Sequence, residues 1–315
     1  MSRATLPSGV ELEYDTFGSP DDPALLLVMG FTAQMIAWDE QFCRQIADRG
    51  RHVIRFDNRD CGLSTKFDGQ LVDITAALSS ILAGQQAGPI PADSVPYTLS
   101  DMAADGIGLL DHLGIERAHV VGASMGGMIV QTMAIEHPGR IASVTSIMSS
   151  TGDPEVGQAM PEAREALLAD SSPVRDEYIA ASVSSMIWAS KKYGDPEYLR
   201  RLAAEQYDRC FHPEGAPRQL AAIYASGDRS EALAALEVPM LVIHGRDDTL
   251  ISPSGGERTA ELVPGSKFLL LSDMGHDMPP PLWPVLAEAI GGHVRTAIAA
   301  ESTPAASRTR EQMAG

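Results

Sequence analysis

The 315-residue chain is poor in cysteine and in positive charge. Its three cysteines, Cys43, Cys61 and Cys210, are odd in number, widely spaced and contain no CxxC pair. This pattern favours reduced thiols in a reducing compartment over a disulfide framework. Only 24 lysines and arginines accompany 42 aspartates and glutamates, which gives a formal net charge of −18. A surface this negative repels phosphate backbones and anionic lipid, so we expect neither a nucleic-acid nor a membrane partner.

Long apolar runs are also absent from the sequence. The segment Ala24–Met29 is apolar throughout but has the length of a strand, which is too short to span a bilayer. The first residues, Met1–Tyr14, show neither the basic nor the apolar region of a signal peptide. No run of lysines and arginines marks a basic pocket for a polyanion. We therefore expect a soluble cytoplasmic protein with a large core, because 44% of the residues are hydrophobic.

Strand-length apolar runs alternate with helix-length segments through most of the chain. This alternation predicts parallel βαβ units and an α/β fold with a mostly parallel, doubly wound sheet. The predicted strands are Val10–Tyr14, Ala24–Met29, His52–Asp57, His119–Val121, Ile141–Met148, Pro239–Ile243 and Lys267–Leu271. The predicted helices are Trp38–Arg49, a helix capped at Ser100 that ends at Leu113, Met125–Glu136, Gly255–Leu262 and one that begins at Pro284.

Two long stretches interrupt this alternation. Residues 66–97 combine Gly, Pro and Ser with short apolar pieces, and residues 151–233 have helical periodicity without a buried-strand run. Interruptions of this kind are where a lid or cap is expected. We predict an α/β core over 1–150 and 234–296, a helical cap over 151–233 and a second lid-like loop over 66–97. The Ala-, Ser-, Thr- and Arg-rich tail, 297–315, is predicted to be disordered.

The motif Gly122-Ala123-Ser124-Met125-Gly126 has the form G-x-S-x-G and lies between a predicted strand and a predicted helix. A strand that turns directly into a helix strains the residue at its apex, and glycines two positions away on either side avoid a collision. The serine hydroxyl then projects from the carboxyl end of the sheet. The pattern predicts that Ser124 is a nucleophile.

A serine hydroxyl needs a neighbouring base, and His276 is the best placed of the eight histidines. It follows the last predicted strand and therefore lies at the same sheet edge as Ser124. The base in turn needs a carboxylate that orients it. Asp248 follows the strand that ends at Ile243 and is the preferred acid. Asp247 and, more distantly, Asp153 stay open as alternatives.

An oxyanion hole needs two N–H donors near the nucleophile. The first is the N–H of Met125, because a helix N-terminus presents free amides behind the serine. The second is the N–H of Phe31, in the turn that leaves the first buried strand. Each triad residue thus follows a strand, in the chain order Ser, Asp, His expected of a G-x-S-x-G hydrolase.

Together these motifs resemble the α/β-hydrolase superfamily. The segment Asp57–Ser64 is similar to the family's D-x-R-G-x-G-x-S loop but has Asp60 where glycine is usual, and Met29-Gly30 replaces the usual His-Gly. Both departures also occur in a branch that includes aclacinomycin methylesterases and bacterial lipase-like esterases. The resemblance implies ester hydrolysis, and Ser124 separates the chain from relatives that use an aspartate nucleophile. The closer similarity lies in Leu25–Gly30, His52–Thr65 and Arg117–Gly127.

The leading hypothesis is a carboxylic-ester hydrolase that forms an acyl-enzyme on a small-molecule ester of small or medium size. No cofactor is expected, and we interpret His244 beside the two aspartates as a strand-end histidine rather than a metal ligand. A polyketide methylesterase, a perhydrolase or cofactor-free haloperoxidase, cleavage of a diketone and a non-catalytic receptor stay open. The oligomeric state cannot be read from the sequence. An apolar, neutral substrate is favoured by the cap residues Met160, Tyr178, Met186, Ile187, Trp188, Tyr193, Tyr198, Tyr207, Phe211 and Tyr224.

Overall fold

A computed structural model describes residues 1–83 and 90–302. These residues form eight strands in one sheet, with the spatial order β1-β2-β4-β3-β5-β6-β7-β8. The pairs β1–β2 and β2–β4 are antiparallel, and all other neighbours are parallel. The predicted α/β class with a mostly parallel sheet is confirmed. The strands are β1 Ser2–Thr5, β2 Glu11–Phe17, β3 Ala24–Val28, β4 His52–Phe56, β5 Ala118–Ala123, β6 Ile141–Ile147, β7 Met240–Gly245 and β8 Lys267–Leu271.

Helices cover both faces of this sheet. The described α-helices are α1 Glu40–Ala47, α2 Thr75–Leu82, α3 Leu99–His112, α4 Met125–Glu136, α5 Pro161–Leu167, α6 Arg175–Ala181, α7 Pro196–Arg209, α8 Gly215–Ser226, α9 Ser230–Ala234, α10 Ser254–Leu262 and α11 Trp283–Glu301. Short 3-10 helices occupy Met35–Ala37, Ala92–Ser94, Pro138–Arg140, Ser182–Ile187 and Pro280–Leu282. No helix in the described ranges is both long and apolar enough to cross a bilayer.

The central strands are buried along their whole length, which accounts for their continuous apolar runs. Side chains from α3 and α4 fill the core on one face of the sheet, and side chains from α1 and α11 fill it on the other. The parallel register places Val28 opposite Gly122, and Ala123 opposite Ile147. The carboxyl ends of β3, β5 and β6 therefore meet at one edge of the sheet.

Three differences between the prediction and the structure have a clear physical cause. Strand β1 was not predicted, because only Ala4 of its four residues is buried and the segment has no apolar run. Helix α3 begins before Ser100: Thr98 is its cap, and the Asp101 carboxylate accepts hydrogen bonds from the Thr98 N–H and hydroxyl at 2.8 and 2.9 Å. The predicted disordered tail begins too early, since α11 continues to Glu301. The rest of that tail, 303–315, lies outside the described residues.

The segment between β6 and β7 contains α5 to α9, and buried ion pairs tie it to the loop after β4. Arg218 of α8 donates to both carboxylate oxygens of Asp60, at 2.7 and 2.8 Å. Arg209 at the end of α7 lies 2.7 Å from the carboxylate of Asp57. A bidentate, desolvated pair of this kind fixes geometry strongly. Asp60 has φ 61°, a left-handed backbone angle that glycine adopts most easily. The aspartate at this position supplies the carboxylate that Arg218 binds.

The predicted second lid-like loop, 66–97, contains α2 and the 3-10 helix Ala92–Ser94. Helix α2 contacts α5, so this loop packs against the segment between β6 and β7. Residues 84–89 of the loop lie outside the described residues.

Candidate active site

Ser124 occupies a sharp turn between β5 and α4, with φ 56° and ψ −121°. Such backbone angles are strained for any residue other than glycine, and strain of this kind clusters at functional sites. A Cβ on Gly122 would lie 2.0 Å from the carbonyl oxygen of Gly126, and one on Gly126 would lie 2.1 Å from that of Val28. Both glycines are therefore required by the turn. The Ser124 N–H is anchored to the carbonyl of Ile147 at 2.9 Å.

Asp248 and His276 lie in direct contact. The Nδ1 atom of His276 is 2.8 Å from Oδ2 of Asp248, although the two residues follow different strands, β7 and β8. The other oxygen of Asp248 accepts hydrogen bonds from the N–H groups of Leu250 and Ile251, both at 2.9 Å. These three contacts fix the carboxylate, and the carboxylate fixes the orientation of the imidazole.

His244 is a second imidazole beside the same carboxylate. Its Nε2 lies 3.3 Å from Oδ2 of Asp248 and 2.8 Å from the carbonyl oxygen of Ile251. Its buried Nδ1 has no hydrogen-bond partner within the described parts of the chain, so the tautomer that carries its proton on Nε2 fits best. Burial raises the pKa of Asp248, but attraction to His276 and hydrogen bonds from His244 and His276 outweigh burial and lower it to about 2. Asp248 is therefore ionised at neutral pH.

The two alternative acids face other partners. Asp247 lies 3.2 Å from the ammonium of Lys191, and Asp153 lies 3.6 Å from the guanidinium of Arg258. The carboxylate that touches His276 is that of Asp248. Among the three candidates left by the sequence, Asp248 is thus the one whose geometry suits a triad acid.

A clamp from the segment between β6 and β7 holds the His276 loop. The His276 N–H donates to the carbonyl of Trp188 at 2.6 Å. The carboxylate of Asp277 accepts hydrogen bonds from the N–H groups of Ser190 and Gly275, at 2.9 and 3.2 Å. Burial raises the pKa of Asp277. The roles of Trp188, Ser190 and Asp277 were not predicted, because contacts between distant loops leave no periodic signal in a sequence.

The turn after β3 lies against the serine. A Cβ on Gly30 would approach the Ser124 Cβ to 3.0 Å, which places the Phe31 turn beside Ser124. Across residues 1–83 and 90–302, no acceptor is bound to the N–H of Phe31 or to that of Met125. Both N–H groups predicted to form the oxyanion hole therefore have no acceptor within the described residues.

Gln219 of α8 holds this turn from the other side. It is fully buried, its Oε1 accepts the Thr32 N–H at 2.8 Å, and its Nε2 donates to the carbonyl of Arg59 at 2.9 Å. Thr32 has φ 56°, so the turn adopts a conformation that needs support. Gln219 therefore fixes the residue next to Phe31, a role that was not predicted from the sequence.

A cavity of about 460 Å³ opens at Ser124. Phe31, Ser124 and Met125 line it, together with Leu250 and Ile251, whose amides bind Asp248. The serine turn and the two residues whose amides hold the Asp248 carboxylate therefore line one cavity. The direct pairing of the Ser124 hydroxyl with the His276 Nε2 stays a prediction.

The cavity wall only partly matches the predicted apolar lining. Of the ten cap residues named above, Tyr224 lines the cavity, within the described residues. Tyr178, Tyr207 and Phe211 instead pack on each other, with ring centroids 4.8 to 5.6 Å apart. They are partly buried and contact one another within their own segment. Within the described ranges, no cluster of three or more His, Cys, Asp or Glu side chains has the arrangement of a metal site.

Comparison with known proteins identifies the family. The profile of the alpha/beta hydrolase fold matches residues 23–279, which is most of the chain. The chain belongs to this alpha/beta-hydrolase family. The resemblance to α/β-hydrolase esterases that was predicted from the sequence is thereby confirmed, and the protein is a hydrolase.

The relatives of this α/β-hydrolase include hydrolases with different names. Rhodomycin D methylesterase of Streptomyces sp. (strain C5) is 26% identical over 322 residues, which cover 94% of this chain and 99% of the relative. A putative carbamate hydrolase of Caulobacter vibrioides is 30% identical over 286 residues, covering 88% and 92%. The meta-cleavage product hydrolase of Pseudomonas fluorescens has a TM-score of 0.73 at 19% identity, covering 94% and 98%. At that identity the structural match supports the fold alone.

Proposed function

We propose that this hydrolase cleaves carboxylic esters through a Ser124–His276–Asp248 triad and an acyl-enzyme intermediate. The observation that carries the proposal is the 2.8 Å contact between Asp248 and His276 at the sheet edge where the strained Ser124 turn opens into a cavity. The similarity to rhodomycin D methylesterases supports an ester as the substrate class. The size of the cavity fits a small or medium ester.

In the proposed reaction, the Ser124 hydroxyl attacks the ester carbonyl while His276 takes its proton. The N–H groups of Phe31 and Met125 donate to the oxyanion of the tetrahedral intermediate. The intermediate collapses, the ester C–O bond breaks, and the alcohol leaves with the proton from His276. His276 then removes a proton from water, whose oxygen attacks the acyl-enzyme. The bond to Ser124 breaks, the acid is released, and His276 returns the proton to the Ser124 oxygen. Asp248 stabilises the imidazolium in both halves of the cycle.

A fluorophosphonate probe tests the nucleophile directly. We expect the probe to label the wild type on Ser124 and to leave Ser124→Ala unlabelled, because the probe reacts only with an activated serine. Ser150 lines the same cavity, so Ser150→Ala is the matched control and should still be labelled. Intact-mass spectrometry followed by peptide mapping provides the readout.

The same variant tests catalysis. On p-nitrophenyl butyrate, Ser124→Ala should lower kcat by about 10⁴-fold to 10⁶-fold, since triad members act as a unit. Near-normal turnover by Ser124→Ala, or a label on another residue, would show that the nucleophile lies elsewhere.

A further inference from the structure

The cavity at Ser124 contains a buried arginine without an acidic partner. Arg229, directly before α9, is 9% exposed. Its Nε, Nη1 and Nη2 donate to Oε1 of Gln131 and to the carbonyls of Gly227 and Ser150, at 3.2, 3.2 and 3.0 Å. These acceptors are neutral oxygens, and within the described residues no carboxylate oxygen lies within 4.0 Å of the guanidinium. Arg229 thus brings to the cavity wall a positive charge that no described carboxylate contacts directly.

A second arginine lines the same cavity. Arg164 of α5 has a buried Nε that has no hydrogen-bond partner in the described parts of the chain, and it forms no ion pair with a described carboxylate. Burial lowers the pKa of Arg229 to about 10, with nearby Asp228 opposing this effect, so Arg229 is still protonated at neutral pH. The Arg229 guanidinium therefore keeps its charge when a ligand enters.

The two acids in the cavity wall already have partners. Asp153 faces Arg258 at 3.6 Å and accepts the Glu155 N–H at 2.9 Å. Asp228 accepts the N–H and hydroxyl of Ser230 at 2.9 and 2.6 Å. Asp153 therefore has a counter-charge in Arg258, and Asp228 is held by hydrogen bonds from Ser230 rather than by a contact with Arg164 or Arg229.

A desolvated guanidinium is costly unless a charge and hydrogen-bond acceptors compensate it. A carboxylate does both, because its two oxygens match the planar fork of an arginine. The remainder of the wall is largely apolar, with Leu167, Leu168 and Leu220 among its residues. This combination suits a ligand with a hydrocarbon body and one carboxylate.

We propose that the preferred substrate is an ester that also carries a free carboxylate, bound by Arg164 and Arg229 while the ester carbonyl meets Ser124. The inference that such an ester is hydrolysed rests on the proposed function, whereas the binding of the carboxylate by the two arginines does not depend on it. It replaces the neutral substrate that the sequence favoured, because two arginines so far apart in the chain form no basic run in the sequence.

Matched ester pairs test the preference. Each p-nitrophenyl hemiester of a dicarboxylic acid, from succinic to azelaic, is compared with the p-nitrophenyl ester of the monocarboxylic acid of equal carbon number. We expect the wild type to favour the acid-bearing member at one or more chain lengths by about tenfold or more in kcat/KM. Equal or lower kcat/KM for the acid-bearing ester at every length would overturn the proposal.

Arg164→Gln should reduce this preference ratio by about tenfold, chiefly through KM, because it removes one charged contact. Arg164 is chosen since Arg229 also holds the backbone carbonyls of Ser150 and Gly227, and its replacement could impair folding. The matched control is Arg175→Gln, which removes an exposed arginine of α6 that pairs with Asp208. The control should keep the wild-type ratio, and an unchanged ratio in Arg164→Gln contradicts the assignment.

Calorimetric titration with sodium adipate separates this proposal from the catalytic one. We expect saturable binding to the wild type that is at least about tenfold weaker in Arg164→Gln and unchanged in Arg175→Gln. If no ester is hydrolysed but adipate binds in this pattern, the proposed reaction fails and the carboxylate site stands. If neutral esters are hydrolysed and adipate does not bind, the carboxylate site fails alone.

Discussion

At the scale of single residues, two adjacent aspartates in the same turn have different environments. Asp248 is buried, accepts two backbone N–H groups and touches His276, whereas Asp247 forms an ion pair with Lys191 at 3.2 Å. Desolvation strengthens the interaction of Asp248 with an imidazolium, while solvent screens the Asp247 pair. Of these two aspartates, Asp248 is therefore the one that would stabilise a charged His276 in the proposed mechanism.

Asparagine substitutions at both positions test this difference. Asp248→Asn should lower kcat by about 10⁴-fold, because the amide can favour the wrong imidazole tautomer and cannot offset its charge. Asp247→Asn removes only the Lys191 pair and should change kcat by less than about threefold. Steady-state hydrolysis of p-nitrophenyl butyrate measures both. If Asp247→Asn is the more damaging change, the triad acid has been assigned to the wrong neighbour.

At the scale of elements, helix α8 supports the turn that carries Phe31, one of the two proposed oxyanion donors. Gln219 binds the Thr32 N–H and the Arg59 carbonyl, and its neighbour Arg218 binds Asp60. Two consecutive residues thus attach one helix to two loops at the carboxyl end of the sheet. The position of the Phe31 N–H consequently depends on a helix that lies far away in the chain.

Gln219→Leu tests this dependence. It should lower kcat by about 10-fold to 10²-fold with little change in KM, because a displaced Phe31 N–H weakens only the transition-state interaction. Gln219→Glu keeps an acceptor for the Thr32 N–H and should recover part of kcat. Ester hydrolysis is measured beside the melting temperature of each variant. A loss of stability in Gln219→Leu with wild-type kcat would mean that Gln219 has a structural role alone.

The same elements show which features a sequence can predict. Buried parallel strands produce continuous apolar runs, so β3 to β7 were predicted to within a few residues, and with them the sheet edge of Ser124, Asp248 and His276. Strand β1 has a single buried residue and gives no such signal. Gln219 contacts Thr32 although the two residues are 187 positions apart in the chain, and no periodic pattern in the sequence relates them.

At the scale of the whole molecule, buried histidines lie at the edge of the sheet opposite the active site. His52 and His119 stand at the amino ends of β4 and β5, and His293 of α11 contacts the carbonyl of Pro239 just before β7. The Nδ1 of His119 lies 2.8 Å from the Ser143 hydroxyl. Burial lowers the pKa of all three, and that of His119 falls from 6.5 to about 4, with Arg51, His293 and Arg117 adding to the effect.

This arrangement predicts a loss of stability in mild acid. Between pH 6.5 and 4 the unfolded chain binds a proton at His119 that the folded chain does not, so the free energy of unfolding decreases as the pH falls. His119 alone should account for up to about 3 kcal/mol, at about 1.4 kcal/mol per pKa unit. Urea denaturation across this range measures the slope.

His119→Asn should flatten that slope, since the amide can hydrogen-bond Ser143 without titrating. His112→Gln, which removes an exposed imidazole from α3, controls for the loss of a histidine elsewhere. A slope in His119→Asn as steep as in the wild type would show that other groups cause the acid sensitivity.

The clamp on the histidine loop has a consequence for protein engineering. A Cβ on Gly275 would lie 2.2 Å from the Trp188 carbonyl oxygen, and the amide next to Gly275 donates to that same oxygen. Residues 188–190 and 273–277 thus pack closely against each other, although they are distant in the chain. A chimera that takes the helical segment of another hydrolase to change specificity should exchange both segments together, because either segment alone would contact a partner with a different backbone surface.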